Sequence, residues 1–176
     1  MRKIIFTSMM LAAGYAAQAQ VGINTQNPQG ALHVDGSSDN NASGAPTEAQ
    51  QANDFAVTAT GNVGIGTTSP ASKLEVKGAA TNSEAYDAGA GTTIDYSLSN
   101  LAYTTASAGA FTLNNIKNGG TYTLNVRGTA SGTATFTAAG FTVKYANNQA
   151  TTAGKETMYT FITMGTVIYV YIVAGL

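Results

Sequence analysis

A sixteen-residue unit occurs twice, and it limits what this chain can fold into more than any other feature. Val21-Gly22-Ile23-Asn24-Thr25-Gln26-Asn27-Pro28-Gln29-Gly30-Ala31-Leu32-His33-Val34-Asp35-Gly36 returns 42 residues later as Val63-Gly64-Ile65-Gly66-Thr67-Thr68-Ser69-Pro70-Ala71-Ser72-Lys73-Leu74-Glu75-Val76-Lys77-Gly78, with eight of sixteen positions identical and no gap. Val-Gly-Ile reads as a short extended piece. Pro28 and Pro70 fall in polar turns, where a fixed φ helps and a missing N–H does no harm. Leu-x-Val then alternates for one strand, and glycine ends it. Each copy offers only about four apolar side chains, and pieces below about 40 residues do not fold alone without outside support. The unit must therefore pack on a neighbour, either another repeat or another chain.

Residues 37–52, between the copies, are small and polar, with Pro46 and several Asn and Gln, and read as a loop or flexible connector. Phe55, Val57 and Ala59 alternate up to the turn Thr60-Gly61-Asn62 and predict a strand feeding the second copy. Residues 79–91 form an Ala/Gly-rich linker. From Thr92 on, period-two alternation dominates. Ile94, Tyr96 and Leu98 share one face. Tyr122, Leu124 and Val126 oppose Thr121, Thr123, Asn125 and Arg127, and Phe136 alternates with Thr135 and Thr137. Residues 166–173 are apolar on both faces, which places them centrally in a sandwich or under a subunit interface. About seven short strands separated by turn signals predict a sandwich or jelly roll. The expected fold is therefore all-β: a short β-repeat stalk over residues 20–78, the linker, and a jelly-roll-like β-sandwich tip over residues 92–176.

Arg2 and Lys3, an apolar stretch over residues 4–13 and Ala17-Gln18-Ala19 read as a secretory signal peptide with the mature start at Gln20. The stretch is too short to span a bilayer, which takes roughly 20 apolar residues. A secreted or cell-surface location follows, with no membrane span after cleavage. The mature chain has six basic residues against nine acidic ones, a formal charge of −3. That balance gives no electrostatic footprint for nucleic acid. The absence of cysteine removes disulfides and thiolate metal sites.

Candidate chemistry is sparse. His33, the single imidazole, falls between Leu32 and Val34 on the alternating position assigned to solvent, with no nucleophile apparent around it. Asp35, Asp39, Asn40 and Asn41 carry oxygens suited to Ca²⁺, but their spacing does not fit an EF-hand, and a solvated turn is the simpler reading. Gly61-Asn62-Val63-Gly64-Ile65-Gly66 lacks the following helix that a dinucleotide fingerprint needs. No catalytic, metal or cofactor-binding residue and no cofactor is expected. Tyr169 and Tyr171, in the doubly apolar segment, are candidates for a subunit contact, as are Val63, Ile65, Leu74 and Val76 of the second repeat.

Asn62-Val63-Gly64-Ile65-Gly66-Thr67-Thr68-Ser69-Pro70 followed by Lys73-Leu74-Glu75-Val76 resembles a repeat common in phage tail fibres and in bacterial secreted fibre-like proteins. The first copy looks like a diverged version, with Asn24 in place of Gly66. Gly120-Thr121-Tyr122-Thr123-Leu124, Gly132-Thr133-Ala134-Thr135-Phe136, Thr152-Ala153-Gly154-Lys155 and the segment from Thr160-Phe161 to Tyr171 resemble a β-domain near the tips of such fibres. The resemblance implies a homotrimer. It implies a non-enzymatic, exported structural or adhesive subunit that presents its tip to a surface glycan or protein receptor. The alternative is a secreted carbohydrate-binding module.

Overall fold

The computed structural model describes residues 20–128 and 130–176, so the expected signal peptide lies outside the described residues. The chain divides into two compact units at Ala80. Their regular structure is nearly all strand, joined by long turns; the one helix among the described residues, α1 (Glu48–Gln51), has four residues and a Thr47/Gln50 capping box.

Among its described residues the first unit forms one sheet of five three-residue strands: β1 (Val21–Ile23), β2 (Leu32–Val34), β3 (Phe55–Val57), β4 (Val63–Ile65) and β5 (Leu74–Val76), in that spatial order. Each sequence repeat becomes one parallel pair with the same register. Val21 faces Leu32 and Ile23 faces Val34 in the first; Val63 faces Leu74 and Ile65 faces Val76 in the second. β3 lies between the pairs, antiparallel to both β2 and β4.

The repeated turn explains its conserved spacing of residue types. The Thr25 hydroxyl accepts the Asn27 N–H at 3.2 Å, and the Thr67 hydroxyl accepts the Ser69 N–H at 3.2 Å. Asn24 and Gly66 occupy the same place with φ of 60° and 75°. This is the left-handed region, where Gly is free of strain and Asn is the best tolerated alternative. That accounts for the exchange of Asn for Gly between copies.

The second unit contains nine strands among its described residues. β6 (Tyr86–Asp87), β8 (Leu101–Thr104), β10 (Thr121–Val126), β12 (Thr142–Tyr145), β13 (Thr157–Met164) and β14 (Val167–Ala174) form a sheet ordered β12-β14-β13-β10-β8-β6. β7 (Thr93–Asp95), β9 (Ala110–Asn114) and β11 (Thr135–Thr137) form the other, ordered β11-β9-β7. Phe136 of the smaller sheet packs edge-on to Tyr159 and Phe161 of the larger, with centroids 4.9 Å apart in each case. The core runs between the sheets through Ile94, Phe111, Leu113, Leu124, Val126, Ile168 and Val170. At about 1.5–3 kcal/mol for each fully buried large side chain, this cluster is the main source of the unit's stability.

The winding differs from the antiparallel Greek keys of a jelly roll. From β6 to β11 the chain alternates between sheets, so that same-sheet neighbours run parallel: β6 with β8, β8 with β10, β7 with β9, β9 with β11. Among the named strands of this unit, the pairings of β13 with β10 and with β14 are the antiparallel ones. A strand that crosses to the opposite sheet and returns arrives in its original direction, which is why parallel pairing follows. β6 also falls within the segment expected to be linker. Leu98, expected on the face of Ile94 and Tyr96, is instead exposed. Asp95 ends β7 by accepting both the N–H and the hydroxyl of Ser97, at 2.9 and 2.8 Å.

Candidate functional site

The first and third residues of every strand in the first unit are apolar, and a period of two puts them all on one face. They make two rows of five across the sheet: Val21, Leu32, Val57, Val63, Leu74 and Ile23, Val34, Phe55, Ile65, Val76. None is buried. Val21, Ile23, Ile65 (45 %) and Leu74 (61 %) are exposed, and the other six are half-buried. Five strands about 4.8 Å apart and three residues long span roughly 24 by 10 Å.

The opposite face carries Gly22, His33, Ala56, Gly64 and Glu75, and its middle, at His33, Ala56 and Gly64, is buried. The turns of the repeats fold against it: a Cβ on Gly22 would stand 2.6 Å from the Thr25 carbonyl oxygen, and one on Gly64 would collide with that of Thr67. Apart from Pro46 and Pro70, Ala56 is the one apolar side chain buried among the described residues of this unit, whereas His33, Asp35, Asp54, Thr67 and Thr68 are buried polar groups. The unit is inside out relative to a free-standing domain.

His33 is therefore not on a solvent position. Strand alternation is obeyed, but the solvent and covered faces are exchanged. Its Nδ1 accepts the Gln29 N–H at 3.2 Å and its Nε2 lies 2.9 Å from Asp54 Oδ2. In the second copy the Glu75 carboxylate accepts the Ala71 N–H at 2.6 Å. Gln29 and Ala71 are equivalent, as are His33 and Glu75, so the shared requirement is a side-chain acceptor for the turn amide. Asp54, the partner of His33, had no signal in the sequence, since it lies outside the repeated unit.

Asp35 is engaged as an acceptor, from Ser37 and Asp39 at 3.2 Å and from Asn40 at 2.9 Å. Burial works to raise its pKa, but the N–H groups of Asn40, Asp39, Ser38 and Ser37 outweigh it and hold the carboxyl below its ordinary 3.8. No group of three or more His, Cys, Asp or Glu side chains suited to a metal occurs among the described residues.

In the second unit Tyr169 and Tyr171 stand on the outer face of the larger sheet, with Tyr171 half exposed (50 %). They face Ile162 and Thr160 across the β13–β14 pair, and Met158 faces Val173. At the β6 end of the same unit an open cleft of about 540 Å³ is lined by Glu84, Tyr86, Asp87, Leu98 and Tyr103, among others. Arg127 lies 4.0 Å over the Tyr103 ring. Hydrogen bonding to Asp87 pushes the Tyr103 phenol above its ordinary range, and the Arg127 charge pulls the other way. Its lining includes two carboxylates, Glu84 and Asp87, the hydroxyl of Ser83, and no His. No helix among the described residues is long and apolar enough to cross a membrane. Compared with protein-family models, curated proteins and solved structures, the chain matches none.

Proposed function

We propose that this chain is a non-enzymatic, exported fibre or adhesin subunit that works as a homotrimer, with the repeat unit as stalk and the β-sandwich unit as receptor-binding tip. The observation that carries this reading is the uncovered face of two apolar rows in a unit whose described residues bury almost no apolar side chains. A face of this kind costs free energy in water at about 25 cal/mol per Å² and marks a contact surface. Copies of the same chain carry the same face, so symmetric association covers all of it at once. The number three comes from the resemblance of the Val63–Gly64–Ile65 repeat to trimeric fibre proteins. The outer-sheet residues Tyr169 and Tyr171 belong to the same class of contact.

Light scattering on residues 20–176 tests the reading. A mass of three chains is expected at micromolar concentration, falling to one chain in the variant Ile65→Lys/Leu74→Lys. A clean monomer of the unmodified chain overturns it.

The cleft beside Tyr86 and Tyr103 favours a second reading, a secreted carbohydrate-binding module. It offers aromatic rings and carboxylate acceptors together. Measurable glycan affinity that falls on Tyr86→Ala supports that reading; a silent glycan array together with a trimer rejects it.

A further inference from the structure

The open edge of the repeat sheet at β5 repeats an edge that is already occupied inside the molecule. β5 is the second-copy equivalent of β2, and β2 holds β3 on the side away from its parallel partner. In the β4–β5 pair the Val63 N–H donates to the Lys73 carbonyl and the Lys77 N–H to the Ile65 carbonyl, both at 2.9 Å. Backbone groups alternate sides along a strand, so those of Leu74 and Val76 point into the open edge. The equivalent groups of Leu32 and Val34 are the ones that meet Val57 and Phe55 of β3. At the β5 edge the Leu74 carbonyl takes a hydrogen bond from its own neighbour, the Ser72 hydroxyl at 2.7 Å.

Exposed edges are commonly guarded by free charges, lysine above all. Here the flanking charges are turned back onto their own unit. Lys73 Nζ donates to the Thr60 carbonyl at 3.1 Å, Lys77 Nζ lies 3.1 Å from Glu48 Oε1, and Glu75 accepts the Ala71 N–H. Among the described residues no strand pairs with this edge, its one engaged acceptor is the Leu74 carbonyl held by the Ser72 hydroxyl, and no free charge guards it.

We infer that the β5 edge is a β-augmentation site for an extended segment of another polypeptide. The segment runs antiparallel to Leu74–Val76 and carries two bulky apolar residues around a small one, as Phe55-Ala56-Val57 does against β2. Main-chain hydrogen bonds supply the affinity, and the two bulky side chains extend the rows of Leu74 and Val76 on the uncovered face. This goes beyond the fibre reading and does not rest on it, because the edge is distinct from the face that association covers.

The probe is a labelled peptide with the sequence of residues 53–59, titrated into residues 20–176, with the mass of the protein recorded in the same samples. One peptide is expected to bind per chain and to slow hydrogen exchange at the Leu74 and Val76 amides. A peptide N-methylated at the valine corresponding to Val57 loses a donor to the edge and is expected to bind about tenfold more weakly. No saturation up to millimolar peptide, equal binding of the methylated peptide, or protection confined to other strands would overturn the site. Each result is read whether the protein is monomer or trimer, so its failure is separate from that of the fibre reading.

Discussion

His33 Nε2 lies 2.9 Å from Asp54 Oδ2 with both side chains fully buried, in a unit whose apolar side chains face outward. Because Nδ1 accepts the Gln29 N–H, the ring hydrogen belongs on Nε2, which donates to Asp54. Asn40 Nδ2 donates to the same oxygen at 2.9 Å. The carboxylate thus ties the strand residue, the loop after β2 and the entry to β3 together.

Asp54→Ala leaves the His33 Nε2–H and the Asn40 amide without their acceptor. Leaving buried donors unpaired costs about 1–3 kcal/mol. Urea titration followed by amide exchange checks this. Exchange at His33 and Ala56 is expected to accelerate, with Leu124 and Val170 of the other unit unchanged. Equal loss in both units would show that the pair is not a local device.

Asp35 sets a pH dependence. Its folded pKa is lowered below 3.8, so the folded state binds the proton less tightly than the unfolded state does. The stability it contributes is present above the unfolded value of 3.8 and is lost as pH falls through the lower folded value. In acid titrations the repeat unit is expected to lose order below about pH 3.8, and Asp35→Asn is expected to flatten that part of the curve. An unchanged acid limb in the variant would assign the loss to other carboxylates.

Strand alternation and the repeat made much of the fold legible: the Val-Gly-Ile and Leu-x-Val strands, the feeding strand at Phe55–Val57 and the two faces of β10 all lie where periodicity put them. Periodicity gives which residues share a face, not which face is wet. His33 shows the difference, since the ordinary rule of apolar side inward assigns it to solvent. Nor does a local pattern reveal pairing direction. The parallel neighbours of β6 to β11 arise from a crossing between sheets that no turn motif encodes. The Asp54 partner depends on a contact 21 residues from His33, for which a single sequence carries no signal.

The two copies make a paired test of the turn. Gly64→Ala would drive a Cβ into the Thr67 carbonyl oxygen, which is backbone and cannot swing away. Overpacking of this kind typically costs about 1–3 kcal/mol. Asn24→Gly keeps a residue suited to φ of 60° and gives up one hydrogen bond, from Asn24 Nδ2 to the Asp35 carbonyl at 3.2 Å. Its expected cost is at most about 1 kcal/mol. Thermal unfolding of the two variants side by side should rank Gly64→Ala clearly below Asn24→Gly; the reverse order would mean that the turn is not what fixes the glycine.

Tyr171 and Phe161 separate packing from association on one strand pair. Phe161 is fully buried, edge-on to Phe136 at 4.9 Å. Its replacement by Ala removes a large core side chain and leaves a cavity, at about 3–5 kcal/mol. Tyr171 sits opposite Thr160 on the outer face and is half exposed. Tyr171→Ser is therefore expected to change the stability of the isolated chain by no more than about 0.5 kcal/mol. If the outer face is a subunit contact, the same change weakens association. Sedimentation across a concentration series should then show more free chain for Tyr171→Ser, while its denaturant midpoint at high dilution stays put. A shifted midpoint at high dilution would place Tyr171 within the chain's own packing, and an unchanged concentration series would remove it from the contact.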